Sequence, residues 1–174
     1  MRKTPATDAY WQAFAAAAGL DARADYDVAA FGDGPALADQ LLALVLSGVK
    51  RATASLLRDV TVGGEPTPRV GGHVVVLDGA GVPRCIWRTT DVTVKRLIEV
   101  DAAFAWDEGE GDRTRADWLD GHRRYFARQA EREGFVFDDD IQTVFERFTI
   151  VWPPDVADDE SRRSPPAAPG NGCN

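Results

Sequence analysis

Cysteine, histidine and methionine are scarce in this chain. Among 174 residues there are two cysteines (Cys85 and Cys173), two histidines (His73 and His122) and Met1. A single cysteine pair, one member second from the end, excludes a disulfide framework and fits a reducing compartment. Two cysteines and two histidines at these positions exclude a structural zinc site of the usual spacings. No apolar run approaches the ~18 residues that a membrane span needs. The start, Met1-Arg2-Lys3-Thr4-Pro5, lacks the apolar core of a signal peptide. The expected location is cytoplasmic, with no membrane partner. Basic charge is also short: Lys and Arg total 20 against 28 Asp and Glu, a net charge of -8. That balance argues against coating duplex DNA with the whole surface and leaves room for a local basic cleft.

The length fits one domain with tails, and 44% apolar residues suffice for a core. Residues 8–19 read as an amphipathic helix capped by Asp8, with Tyr10, Trp11 and Phe14 as its stripe and Gly19 as its stop. Phe31-Gly32-Asp33-Gly34 reads as a turn. Residues 35–47 read as a helix, with Pro35 early and Leu37, Leu41, Leu44 and Val45 at 3–4 spacing. Strands are expected near 51–57, 73–78, 84–91 and 92–99, a short helix at 101–106, and a glycine-broken acidic loop from Asp107 to Asp112. Thr114 caps a second long helix that ends at Gly134, and 141–151 is the last strand. Residues 153–174, rich in Pro, Asp, Ser and Gly, read as a disordered tail. This order predicts an α+β protein around a small closed or nearly closed sheet. Residues 1–24 are an N-terminal helix packed on a domain spanning 25–152.

Charge is uneven along the chain. Residues 48–97 hold eight basic against four acidic side chains, and residues 99–118 two basic against seven acidic. Such runs could face each other across a cleft. The default expectation is two solvated faces that never meet.

Three strings carry the chemistry. The first is Phe31-Gly32-Asp33-Gly34, then, after the helix, Gly48-Val49-Lys50-Arg51-Ala52-Thr53-Ala54-Ser55. The second is Pro68-Arg69-Val70-Gly71 leading into Val74–Gly79 and Pro83-Arg84-Cys85-Ile86. The third runs from Phe104 to Asp112 and on to Trp118 and His122. Together, in this order, they resemble the ASCH domain family in its longer bacterial branch, over roughly residues 25–152. The resemblance implies a small PUA-like β-barrel with flanking helices. It implies that Lys50 and Thr53, matching the family's Gly-x-Lys-x-x-Thr element, line the barrel cleft with Glu108. Glu110, a step along the loop, is the alternative acid. Small members with that trio hydrolyse N4-acetylcytidine to cytidine and acetate; longer members include a ribonuclease, and others bind RNA. Where the family often has Val-Gly-Asp, this chain has Val70-Gly71-Gly72.

Read as chemistry, a buried Lys50 can serve as a general base, Thr53 as nucleophile or water holder, and Glu108 as the acid that protonates a leaving amine. Read without the resemblance, Lys50 is a surface lysine favourable at a helix C-terminus, Thr53 a strand residue and Glu108 one more loop acid. Ser55 or Arg88 could hold a base or an oxyanion; Arg88 could equally pair with Asp91. Trp118, His122 and Phe126 share one helix face, a spacing more common in cores than at ligands. Trp106, Tyr125 and His122 are candidates for contact with a base. His73 is expected to face solvent. The acidic loop lacks the ligand spacing of a calcium loop, so no metal and no cofactor is expected. The expected partners are a nucleoside or single-stranded RNA. The leading expectation is a hydrolase acting on an N4-acylcytidine-type nucleoside. The alternatives are a ribonuclease on single strands and a non-catalytic RNA-binding module.

Overall fold

The computed structural model describes residues 1–158. Thr4, followed by Pro5, starts helix α1 (Pro5–Ala18): its hydroxyl accepts from the Thr7 N–H at 3.2 Å. The cap is thus Thr4 and not Asp8, whose carboxylate instead accepts from the Tyr26 hydroxyl at 2.6 Å. Strand β1 (Asp27–Ala29) and helix α2 (Pro35–Leu46) follow, with Pro35 in the first turn of α2, where a missing N–H costs nothing. Strand β2 (Ala52–Leu56) runs into a short helix α3 (Leu57–Thr61) that the sequence pattern does not announce. Strands β3 (His73–Leu77) and β4 (Pro83–Arg96) come next. Where two strands are expected across 84–99, the chain forms one, bent by register shifts at Ile86/Trp87 and Thr89/Asp91. The polar break at Asp91 marks a bulge, not a turn. Helix α4 (Ala102–Glu108), helix α5 (Arg115–Glu133) and strand β5 (Gln142–Trp152) complete the fold. Thr114 caps α5 and Gly134 ends it, as the sequence predicts.

The described residues form a five-stranded sheet in the order β1-β3-β4-β5-β2. β1 pairs with β3 in parallel, and the other pairs are antiparallel. The long, bulged β4 lets the sheet curl into a half-barrel, and the two edge strands, β1 and β2, border one cavity. Strand alternation divides the core. Val74 and Val76 pack with Leu41, Leu42 and Val45 of α2, whereas Val75 and Leu77 pack with Trp11 and Phe14 of α1. Burying each such aliphatic side chain contributes ~1.5–3 kcal/mol. A third cluster joins Phe104 of α4, Trp118 and Phe126 of α5, and Phe145 of β5.

Residues 153–158, assigned to the tail by composition, instead turn back onto the sheet. Asp158 accepts from Arg51 at 2.7 and 2.8 Å, from the Thr149 hydroxyl at 2.9 Å and from the Ile150 N–H at 2.8 Å. The rest of the expected tail, 159–174, lies outside the described residues.

Candidate active site

Lys50 follows the stop of α2 at Gly48 and precedes β2. Its segment docks on the C-terminal end of α4. The Arg51 N–H donates to the Asp107 carbonyl at 2.7 Å. Gly109, which ends α4 with φ +75°, lies so close to Val49 that an added Cβ would stand 2.5 Å from the Val49 carbonyl oxygen. Only glycine satisfies both the left-handed turn and that approach. The turn sends Glu108 and Glu110 to Lys50 from either side of Gly109. Lys50 Nζ lies 2.6 Å from Glu110 Oε1 and 3.5 Å from Glu108 Oε1. Lys50 and Glu108 are each 1% exposed. The basic and acidic runs of the sequence therefore do meet, at this point. The Glu108/Glu110 alternative resolves into both residues touching the lysine.

Glu108 is held on its other oxygen. Trp118 Nε1 donates to Oε2, and His122 Nε2 lies 3.4 Å from the same atom. His122 Nδ1 donates to the Trp118 carbonyl at 3.0 Å, and its ring stacks on Trp118 with centroids 3.7 Å apart. Burial pushes the Glu108 carboxyl up, but Lys50 and then His122 outweigh it and hold the group below the usual carboxylate range. For His122, burial favours the neutral ring, and the opposing charge of Glu108 overcomes it and raises the pKa. Glu108 thus has Lys50 on one oxygen and His122 and Trp118 on the other, and these partners favour its ionised form. The desolvation that would favour the proton-donor role expected from the sequence is outweighed by these partners. His122 thus turns Nε2 toward Glu108 and Nδ1 toward the Trp118 carbonyl.

These residues line a cavity of about 350 Å³, with Thr53, Phe31 and Tyr125 in the same walls and Arg124 and Arg128 among the lining residues. A second cavity of about 590 Å³ shares Phe31, Gly32, Thr53, Ala54 and Tyr125 with the first, so the two adjoin at these residues. Ser55 lines the second cavity, not the first.

Two expected ligand residues lie elsewhere. Arg88 stands on the opposite face of β4 from Trp87 and Thr89, directly across from His73. Strand alternation puts its neighbours in the cavity and Arg88 outside it. His73 is itself half-buried, 5.5 Å from the rings of Trp11 and Phe14, rather than facing solvent. Trp106 is 58% exposed and lies under the Arg113 guanidinium, away from both cavities. Its position on α4 turns it outward, while Phe104 and Ala105 take the core.

Several site residues carried no clear signal. Glu146 lines the second cavity and is buried. Its strand is buried on both faces, and the acid stands beside Arg147 as one of two adjacent charges in an otherwise apolar run. Gly72, where the family often has Asp, borders the second cavity; its carbonyl accepts from the Thr89 N–H at 2.9 Å. The departure from the family pattern therefore falls beside Thr89 and not beside Lys50. Among the described residues no group of three or more His, Cys, Asp or Glu is placed to hold a metal ion, and no helix is long and apolar enough to cross a membrane.

The comparisons with known proteins agree with this geometry. The ASCH domain family model matches residues 27–152. The chain is similar to a crystal structure of an ASCH domain from Lactobacillus crispatus JV V101, with 34% identity over 72% of this chain and 79% of that one and a TM-score of 0.67. It is also similar to a crystal structure of a protein from Enterococcus faecalis V583, with 32% identity over 83% of this chain and 86% of that one and a TM-score of 0.76. No curated protein matches it by sequence. With its curled sheet and a family match over residues 27–152, this chain belongs to the ASCH domain family.

Proposed function

We propose that the Lys50 cleft hydrolyses the amide of an N4-acylated cytidine-type nucleoside. The observation that carries this reading is a lysine 1% exposed, flanked by two carboxylates, in one cavity with Thr53 and His122. In this reading Lys50 passes a proton to Glu110, 2.6 Å away, and its freed amine takes the Thr53 hydroxyl proton. The Thr53 oxygen attacks the acyl carbon. The tetrahedral intermediate collapses, the C–N bond breaks, and His122 protonates the departing nitrogen. Water, losing a proton to His122, then attacks the ester; the Thr53 oxygen leaves with the proton that Glu110 returns through Lys50, and the acid is released. Glu108 stays ionised throughout and holds Lys50 and His122 in position.

A cavity of about 350 Å³ suits a nucleoside. A second reading is a ribonuclease acting on single-stranded RNA. Arg124 and Arg128, exposed on α5 and lining the same cavity, favour it because they could meet phosphates. The PUA-like fold, often linked to RNA binding, is equally compatible with a binding module without turnover. Purified protein incubated with N4-acetylcytidine, and in parallel with a labelled single-stranded RNA, separates the three. Cytidine release without RNA cleavage supports the hydrolase. RNA cleavage alone supports the ribonuclease, and RNA binding without cleavage the module.

A further inference from the structure

The second cavity contains a built polar group that the reaction above does not use. Glu146, on β5, is 6% exposed and sits directly across from Thr53 in the β2–β5 pairing. Its Oε1 accepts two hydrogen bonds, from Thr89 Oγ1 at 2.6 Å and from Trp87 Nε1 at 3.1 Å. Among the described residues Oε2 has no hydrogen-bond partner, yet it is not a sealed, unsatisfied atom. Glu146 lines the cavity, so Oε2 is the atom left to face it. A carboxylate this buried is costly to leave half-satisfied, and a ligand N–H at Oε2 would complete it.

The surrounding charge selects the ligand class. Asp27 and Asp59 line the same cavity, and burial pushes both carboxyls up, as it does that of Glu146. Glu65 and Glu133 add acids that are already paired, with the N-terminal amine and Arg58. Arg69 is the basic side chain in the lining, and it is paired with Asp25 at 3.5 Å. Such walls repel phosphate and favour a neutral ligand that presents hydrogen-bond donors. Phe31 and Tyr125, shared by the two cavities, offer aromatic faces to a flat ring.

We propose that Glu146, fixed by Thr89 and Trp87, forms a subsite for the base of an unphosphorylated nucleoside that carries an exocyclic amino group, with Oε2 accepting from that group. The proposal rests on the nucleoside reading above and names the group that would recognise the base. It favours an amino base over a uracil-type base, which carries a carbonyl oxygen where the amino group would stand.

The test is calorimetric titration of the wild type and Glu146→Gln with cytidine, uridine and cytidine monophosphate. The wild type should bind cytidine about tenfold more tightly than uridine or the monophosphate, the scale of one good hydrogen bond in a dry site. Glutamine keeps an Oε1 for Trp87 and Thr89, which turns its amide N–H₂ toward the ligand. The variant should therefore reverse the preference and bind uridine more tightly than cytidine. That reversal also reports a folded site. An unchanged preference in the variant, or equal binding of the two nucleosides by the wild type, overturns the proposal and leaves the hydrolase reading standing. A wild type that binds no nucleoside overturns both. A Glu146-dependent preference with no cleavage of N4-acetylcytidine supports the subsite and removes the hydrolase.

Discussion

Lys50 Nζ lies 2.6 Å from Glu110 Oε1, although the lysine is 1% exposed and the Glu110 side chain 31%. One partner is sealed in the fold and the other reaches the cleft mouth, so the pair links the buried amine to solvent. Glu110→Gln keeps a hydrogen bond to the amine and removes the proton acceptor. It should leave the melting temperature within about 2 °C of wild type and lower kcat on N4-acetylcytidine by roughly 100-fold. An unchanged kcat would remove Glu110 from the proton path.

Thr53 lies between the two cavities and carries the hydroxyl assigned to attack. Thr53→Val preserves shape and strand propensity but has no nucleophile; activity should fall by at least ~100-fold. Thr53→Ser should retain measurable turnover. Equal activities of the valine and serine variants would point to direct attack by water.

The Glu108–His122 pair makes stability depend on pH with opposite signs at its two ends. The Glu108 pKa is depressed on folding, so its contribution is present above about 4.5 and is lost as pH falls toward the folded value. The His122 pKa is raised, so its contribution is full below about 6.5 and is lost as pH rises through the folded value. Urea unfolding of wild type and His122→Gln should show their largest stability difference between about pH 4.5 and 6.5, narrowing on the alkaline side. A difference that grows as pH rises above about 6.5 would contradict the pairing.

Gly109 holds the loop acids against Lys50 through its contact with Val49. Gly109→Ala strains the left-handed turn and pushes α4 off the Val49 carbonyl. Activity should drop with the loss of the Lys50 contacts, accompanied by a destabilisation of about 1–3 kcal/mol in urea melts. Gly134, also left-handed but with open space where a Cβ would stand, is the control: alanine there should cost about 1 kcal/mol and leave kcat unchanged.

Asp158 ties the turn after β5 to Arg51, the residue next to Lys50. Asp158→Ala leaves the largely buried Arg51 without this partner and should cost about 2 kcal/mol, a fall of roughly 5 °C in melting temperature. A shift below 1 °C would mean that the turn contributes no stability.

Much of this was legible in the residues, and the failures have local causes. The bounds of α5 followed from its caps, Thr114 and Gly134, because capping is a local property. Lys50 and Thr53 were found through the family pattern; neither stands out by composition. Arg88 lies outside the cavity walls because facing in a strand depends on parity, and the bulges of β4 hide parity from the sequence. Trp106 was misassigned because a seven-residue helix is too short to define its own buried face. Glu146 carries no signal because most of β5 is buried on both faces and offers no alternation to break. For Glu108 the sequence shows only half of the balance. Burial alone raises a carboxyl, and the partners that reverse the sign, Lys50 and His122, come from distant segments.

The most direct test of the central claim is chromatographic measurement of cytidine released from N4-acetylcytidine by the wild type beside Lys50→Ala. The account predicts release by the wild type and a loss of at least ~1000-fold in the variant, with the variant shown to be folded by its near-ultraviolet circular dichroism. No release by the wild type at high enzyme concentration, or equal release by a folded Lys50→Ala, would contradict it.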